Sequence, residues 1–152
     1  IDKSGAPKVI EFNVRFGDPE TQPILLRLKS DLVELIDAAL DGHLAQTRAR
    51  WDSRPSIGVV MAAAGYPGRV RTGDSIAGLD DIDDGDVKVF HGGTARDAQG
   101  RVVTSGGRVL CVCALGSDLA AARERAYAAV GRLRWEGAFH RRDIAHRALH
   151  RR

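Results

Sequence analysis

The chain has 152 residues, of which 43% are apolar and 28% charged, and its formal net charge is +3. This composition is typical of a globular unit with room for a core and excludes a disordered chain. No apolar run reaches the roughly eighteen residues that a membrane helix needs, and the start lacks a signal-peptide pattern. We therefore predict a cytoplasmic protein without a membrane partner.

Within residues 9–15 the polar side chains fall on every second position, at Glu11, Asn13 and Arg15. Because successive side chains of a β-strand point to opposite faces, Glu11, Asn13 and Arg15 are predicted to share one face of a strand. Carboxylate and amide oxygens suit a hard divalent cation, and a neighbouring arginine suits a phosphate or carboxylate. The same alternation is typical of an edge strand that binds nothing.

A turn with two more carboxylates follows this predicted strand. Gly17 and Pro19 signal the turn, and Asp18 and Glu20 supply the carboxylates. So many ionic groups in a short stretch favour a metal and anion site, because a ligand would organise them. Asp18 and Glu20 also suit the start of a following helix, where they would cap it, and both roles remain open.

Two helices are predicted after the turn. Apolar residues at helical spacing predict the first over residues 21–28, with Thr21 as its cap. The second is predicted to start from a Ser30 cap and to end before Gly42. A polar connector with a further helical turn follows, packed down by Trp51, and we place a domain boundary within it.

Beyond the connector the period of the apolar residues changes to two. Strands are predicted over residues 56–63, 87–90, 101–104 and 108–114, the last two as a hairpin. An alanine-rich helix from Asp118 to about Leu133 is predicted to cover one face of this sheet, and a final helical stretch lies near residues 142–149. The predicted fold class is α+β, with a small antiparallel β unit packed against helices.

Three further features bear on binding. Cys111 and Cys113 share a strand face without other zinc ligands nearby, which predicts structural thiols in a reducing compartment. Residues 80–86 are acidic but lack EF-hand spacing, so an exposed loop is predicted. The last 21 residues contain seven arginines and two carboxylates, yet carry no nucleic-acid motif, so no nucleic-acid partner is predicted.

Several motifs, in order along the chain, resemble the phosphoribosylamine–glycine ligases, also called glycinamide ribonucleotide synthetases, which are ATP-grasp enzymes of purine biosynthesis. Residues 10–22 are similar to the closing signature of their ATP-grasp domain. Residues 58–63, 65–68, 71–74, 88–91 and 104–110 are similar to their C-terminal domain, in the same order.

This resemblance implies a domain organisation. Residues 1–48 would be the incomplete C-terminal end of an ATP-grasp domain, with its last strand, loop and helix. Residues 49–152 would be the C-terminal α+β domain, of the rudimentary hybrid-motif type. The N-terminal substrate domain and the earlier ATP-grasp segments are not among these residues, so we expect the C-terminal part of a longer enzyme, inactive alone, whose partner is the remaining N-terminal part.

The resemblance also implies roles for particular residues. Glu11 and Asn13 would bind Mg²⁺ or Mn²⁺, Arg15 and Asp18 would be catalytic, and ATP, glycine and phosphoribosylamine would be the substrates. The candidate substrate-binding residues are Glu20, His91, Gly106, Gly107 and Arg108. Tight turns are the alternative interpretation of the two glycines, and a histidine satisfied by a neighbour is the alternative for His91.

Two other classes of function remain open. A different ATP-grasp carboxylate–amine ligase, or a carboxylase of the biotin-dependent type, would share the pattern of Glu11 and Asn13. A stand-alone binding module would keep the fold without the chemistry. The ordered motifs of the C-terminal domain favour the phosphoribosylamine–glycine ligases.

Overall fold

A computed structural model describes residues 2–150, so Ile1, Arg151 and Arg152 lie outside the described residues. The helices are α1 (Thr21–Arg27), α2 (Leu32–Leu40), α3 (Leu119–Val130) and α4 (His146–Leu149), with a 3-10 turn at Leu44–Gln46. The strands are β1 (Ser56–Ala62), β2 (Val87–His91), β3 (Thr94–Arg96), β4 (Val102–Thr104), β5 (Arg108–Leu115) and β6 (Phe139–His140). This confirms the predicted α+β class.

The core lies between a four-stranded antiparallel sheet, in the order β2-β5-β1-β6, and helix α3. Alternation along β1 sends Val59 and Met61 to the α3 side, where they join Ala122 and Ala126 in the core. Gly116, between β5 and α3, allows the first turn of α3 to lie close to the end of β5, because a Cβ built on it would lie 2.1 Å from the Ala122 nitrogen. The predicted role of the alanine-rich helix is therefore confirmed.

Helix α1 covers part of the opposite face of the sheet. Gly58 makes room for it, since a Cβ built there would lie 3.3 Å from Pro23 Cγ. The Ser56 hydroxyl donates to the Pro23 carbonyl at 2.7 Å. These contacts fix the start of α1, and with it the Asp18–Pro19 turn, over the sheet.

The predicted hairpin between residues 101–104 and 108–114 is wrong. Strand β4 pairs with β3 in a separate two-stranded sheet, while β5 pairs with β1 on one side and β2 on the other. All but the first residue of β5 are buried, so this strand needs a partner on each edge. A strand as short as β4 cannot supply the whole length of either edge.

The predicted strand over residues 9–15 is also wrong for the described part of the chain. Residues 6–14 form no helix or strand and belong to no β-ladder. The apolar side chains are left open to solvent, with Ile10 94%, Phe12 83% and Val14 93% exposed. A strand is defined by backbone pairing, and none of residues 2–150 pairs with this segment.

The predicted caps need correction. Asp31, not Ser30, caps α2, because its carboxylate accepts from the Val33 N–H at 2.8 Å, whereas the Ser30 hydroxyl accepts from the Arg50 N–H at 2.7 Å. Thr21 is the first residue of α1 and not its cap. Trp51 is 48% exposed, so only part of its side chain packs, and its backbone forms an isolated bridge with Leu28. The final helix is shorter than predicted and covers only His146–Leu149.

A chain of ion pairs fastens the connector to the sheet unit. The Asp52 carboxylate lies 3.2 Å from Lys29 Nζ and 2.9 Å from Arg54 Nη2, and Arg54 Nη1 lies 2.9 Å from Asp86 Oδ2. Arg125 Nη1 reaches the same Asp86 oxygen at 3.1 Å. Part of the acidic stretch at residues 80–86 is therefore paired and not simply an exposed loop.

We expect this network to make stability sensitive to acid. Hydrogen bonds from Arg54 hold the pKa of Asp52 and the pKa of Asp86 below the usual aspartate range. The folded state therefore binds fewer protons than the unfolded chain, so this stability is fully present above about pH 5. It falls progressively below the unfolded-chain pKa of about 3.9 and is lost as the pH passes through the lower pKa values of the folded state. Melting temperatures between pH 7 and about pH 2 measure the fall.

Asp52→Asn separates this effect from general acid denaturation. The variant is expected to melt a few degrees lower than the parent at pH 7 and to show a flatter fall with acid, because the titrating carboxylate is gone. Asp83→Asn, at an exposed position in the same acidic stretch, is the matched control. Parallel pH profiles for the parent and Asp52→Asn would contradict the role of Asp52.

Candidate active site

The two predicted metal ligands lie together. Asn13 Nδ2 donates to Glu11 Oε1 at 3.0 Å, so these side chains are neighbours, although no strand forms there. The guanidinium of Arg15 does not join them by a hydrogen bond, and its Nη1 donates to the Phe16 carbonyl at 3.2 Å. All three residues are exposed.

The next predicted site residues lie in the turn that leads into α1. Thr21 closes this turn, because both its N–H and its hydroxyl donate to the Gly17 carbonyl, the N–H at 3.0 Å. Glu20 occupies the cap position, but its side chain accepts no capping hydrogen bond. The capping interpretation of Glu20 is therefore wrong, and its carboxylate is exposed.

Arg108, at the start of β5, connects the sheet to this turn. Its Nη1 donates to the Asp18 carbonyl at 2.5 Å and lies 3.4 Å from Asp18 Oδ2. Its Nε donates to the Tyr66 hydroxyl at 2.8 Å, and this bond is the main cause of a raised pKa of Arg108. The structure thus brings together Asp18 and Arg108, which we predicted from separate motifs.

A cleft of about 340 Å³ opens beside this connection, on the face of β1 that is turned away from α3. Its apolar lining consists of Pro19, Val60, Ala62, Tyr66, Phe139 and Ile144. Arg108, His140 and Arg141 supply its polar groups. A concave, mostly apolar surface with a few polar groups is typical of a small-molecule site.

The polar groups of the cleft differ in how free they are. Arg141 is engaged by Asp143, with Nε–Oδ1 and Nη2–Oδ2 distances of 2.9 and 2.5 Å. Burial, and then the charge of Arg142, lower the pKa of His140, which favours the neutral ring. Unlike Arg141, Arg108 is not paired with a bidentate carboxylate. It is therefore the more available of the two cationic side chains that line the cleft.

Sequence reasoning missed Tyr66, His140 and Arg141. Tyr66 lies within a motif that carried the resemblance, and an aromatic residue between Gly65 and Pro67 in a turn was the available signal. His140 and Arg141 carried no such signal. They reach the cleft because the two-residue strand β6 pairs with Met61 and Ala62 of β1.

Gly106, one of the two predicted glycines, lies against Gly93. The Ser105 N–H donates to the Gly93 carbonyl at 2.7 Å, and a Cβ built on Gly93 would lie 2.7 Å from Gly106 Cα. A Cβ on Gly107 would lie 2.5 Å from Tyr66 Cδ2. Close packing is therefore a sufficient reason for glycine at these positions, and their contact with substrate stays a prediction.

The remaining predicted residues have simple surroundings. The exposed His91 shares a 3.1 Å hydrogen bond with the Thr94 hydroxyl, so it has a neighbouring partner. Cys111 and Cys113 are buried free thiols on one strand face, with their sulfurs 3.6 Å apart. The contact with Cys111 and burial raise the pKa of Cys113, which keeps that thiol protonated.

Residues 2–150 lack two kinds of feature. This part of the chain has no cluster of three or more histidine, cysteine, aspartate or glutamate side chains arranged to hold a metal ion. None of its helices has the length and apolar character that crossing a bilayer requires.

Comparison with known proteins gives consistent matches along the chain. Phosphoribosylamine–glycine ligases from Xylella fastidiosa and Salmonella typhimurium are 62% and 59% identical to it over 151 residues, which is 99% of this chain. The chain spans about a third of the length of these relatives, 34% and 35%.

Fold comparison agrees. The crystal structure of a phosphoribosylamine–glycine ligase from Thermotoga maritima matches with a TM-score of 0.69 and 32% identity, covering 92% of this chain and 34% of that one. The family model described as phosphoribosylglycinamide synthetase, C domain, matches residues 56–147. The chain therefore belongs to the phosphoribosylglycinamide synthetase family, whose C domain it contains.

Proposed function

We propose that this chain is the C-terminal part of an ATP-dependent ligase that joins glycine to 5-phosphoribosylamine, giving glycinamide ribonucleotide, ADP and phosphate. The observation that carries the proposal is the match of 99% of the chain to phosphoribosylamine–glycine ligases that are about three times as long. The ligase acts in the cytoplasm, without nucleic acid or membrane as partner, and the piece of 152 residues alone is inactive.

We assign residues 1–48 to the end of an ATP-grasp domain and residues 49–152 to the C-terminal domain, of the rudimentary hybrid-motif type. The exposed apolar residues of the first segment support this assignment. Ile10, Phe12 and Val14 alternate with polar residues but are 83–94% exposed, as expected of a strand whose partner belongs to the remaining N-terminal part.

Glu11 and Asn13 are the proposed ligands of Mg²⁺ or Mn²⁺. Their side chains lie together, joined by the 3.0 Å hydrogen bond from Asn13 to Glu11, and both are exposed. A carboxylate and an amide oxygen are ligand types that suit a hard cation. Octahedral Mg²⁺ needs six ligands, and the protein would supply two of them. Water and nucleotide phosphates would supply the others, as is common for Mg²⁺ in nucleotide-binding enzymes. When bound, the ion would offset the negative charge of the phosphates.

The reaction has two steps, a phosphoryl transfer and an acyl transfer, and both involve negatively charged groups. The glycine carboxylate attacks the γ-phosphorus of ATP and releases ADP, and the amine of phosphoribosylamine then attacks the acyl carbon and releases phosphate. Arg15 offers a fork of donors for the phosphoryl oxygens, and Asp18 and Glu20 offer carboxylates that orient an amine. The exposure of these three side chains supports contact with ligands.

The C-terminal domain supplies the remaining candidates for substrate binding, which are His91, Gly106, Gly107 and Arg108. Arg108 borders the cleft, and its Nη2 makes no hydrogen bond within the described residues. The other two nitrogens of its guanidinium are engaged by Tyr66 and Asp18. Any direct contact of Arg108 with a ligand is therefore expected through Nη2.

Product analysis of the ligase that carries this chain tests the function. With ATP and Mg²⁺, the combination of glycine and phosphoribosylamine is expected to release ADP and phosphate in equal amounts, and either substrate alone is not. ADP release with another carboxylate and amine, but not with these, would identify a different ATP-grasp ligase. Release by the 152-residue chain alone would contradict its proposed incompleteness.

A further inference from the structure

Arg108 links two segments that lie far apart in the sequence. One of its nitrogens, Nη1, donates to the Asp18 carbonyl at 2.5 Å and lies 3.4 Å from the Asp18 carboxylate, across a separation of 90 residues. Backbone and side chain of Asp18 are therefore held by the same group. No described hydrogen bond other than this one engages the Asp18 carbonyl.

Tyr66 in turn holds Arg108. Its hydroxyl accepts from Arg108 Nε at 2.8 Å, and its ring centroid lies 5.8 Å from the guanidinium carbon. The ring packs over Gly107, where a Cβ would come within 2.5 Å of it. The turn that carries Tyr66 is closed by its own hydrogen bonds, from the Tyr66 N–H to the Ala63 carbonyl and from the Gly68 N–H to the Gly65 carbonyl.

The geometry of these bonds requires a guanidinium. Arg108 uses Nε toward Tyr66 and Nη1 toward Asp18, in two different directions fixed by one planar group. A lysine ammonium is a compact point charge and cannot reproduce such a fork. Substitution by lysine therefore keeps the charge but breaks the linkage.

We propose that Arg108 is a positioning residue, which together with Tyr66 fastens the Asp18–Pro19 turn to β5 and so sets where Asp18 and Arg15 stand for the reaction. The catalytic consequence rests on the proposed ligase function, while the fastening itself does not. Arg108 then acts mainly through Asp18, and direct binding of substrate by its charge is a minor role.

Hydrogen exchange of the 152-residue chain tests the fastening. In Arg108→Met and Arg108→Lys, the Thr21 amide is expected to exchange about tenfold faster, as the loss of a hydrogen bond to a charged group implies. Tyr66→Phe is expected to show a smaller increase, and the amides of the β1–β5 ladder are expected to stay unchanged. Unchanged exchange of Thr21 in all three variants would overturn the proposal.

Arg96→Met is the matched control for this experiment. Arg96 is also exposed, and its Nη1 donates to a backbone carbonyl, that of Gly100, at 2.7 Å. It lies in the two-stranded sheet of β3 and β4 and makes no hydrogen bond to the Asp18–Pro19 turn. The Thr21 amide is therefore expected to exchange at the parent rate in this variant.

Steady-state kinetics of the ligase test the consequence. In Arg108→Met and Arg108→Lys, kcat is expected to fall about 10- to 100-fold, as small misplacements of reacting groups do, while KM for phosphoribosylamine changes little. A raised KM with an unchanged kcat, restored by lysine, would overturn the positioning role in favour of charge contact with substrate. A parent ligase without activity would refute the proposed function, and the exchange experiment would still decide the fastening.

Discussion

Glu11→Gln is expected to lower the turnover of the ligase by at least about 100-fold, because it removes the charged member of the proposed metal pair. Substitution of residues that only orient metal ligands already lowers metal affinity or activity about 10–100-fold. Substitution of a direct ligand should lower it by at least as much. Glutamine keeps the size and one oxygen of the side chain, so the loss reports on charge. The measurement is ADP release as a function of Mg²⁺ concentration, with a shift toward higher Mg²⁺ in the variant.

The folding of Glu11→Gln is expected to match that of the parent. Glu11 is exposed, and its hydrogen-bond partner in this chain is Asn13, two residues away. Glu34→Gln, at an exposed position in the first turn of α2, is the matched control for loss of one carboxylate. An unchanged Mg²⁺ dependence in Glu11→Gln would show that Glu11 does not bind the metal.

Leu110→Ala is expected to destabilise the chain by about 2–5 kcal/mol, the cost typical of a large cavity in a packed core. Leu110 is 1% exposed and lies in the central strand β5, paired with Met61 on one side and His91 on the other. The free energy of unfolding, measured with denaturant, checks this value.

Leu40→Ala provides the comparison for that experiment. Leu40, at the end of α2, is 80% exposed, so the same truncation should change the free energy of unfolding by no more than about 0.5 kcal/mol. Equal effects of the two substitutions would contradict the position of Leu110 in the core.

The helices show how much local sequence determines. The spacing of apolar residues predicted α1, α2 and α3 to within a few residues. An aspartate directly before the helix caps two of them, Asp31 for α2 and Asp118 for α3. These features depend on residues within one or two turns of each other. The buried thiols and the strands β1 and β5 were predictable for the same reason, because composition and period are local.

The partners of the strands were not predictable in this way. Residues 101–104 and 108–114 have the local signature of a hairpin, yet β5 pairs with β1 and β2 because burial on both faces demands two long neighbours. Residues 9–15 have the alternation of a strand, yet remain without a ladder in the described chain. Alternation of apolar and polar residues shows only how the side chains would be arranged in a strand. A β-ladder also needs hydrogen bonds to the backbone of a second segment.

The candidate site also combines features that are local in the sequence with features that depend on the fold. By itself the sequence determined which chemical groups stand close in the chain, the carboxylate of Glu11, the amide of Asn13 and the turn with Asp18, and their order gave the family resemblance. Only the tertiary structure brought Arg108 to Asp18, brought Tyr66 to Arg108 and formed the cleft beside them. The physical reason is that such contacts join residues as many as 90 positions apart, and only the packing of α1 on the sheet brings them within hydrogen-bond distance.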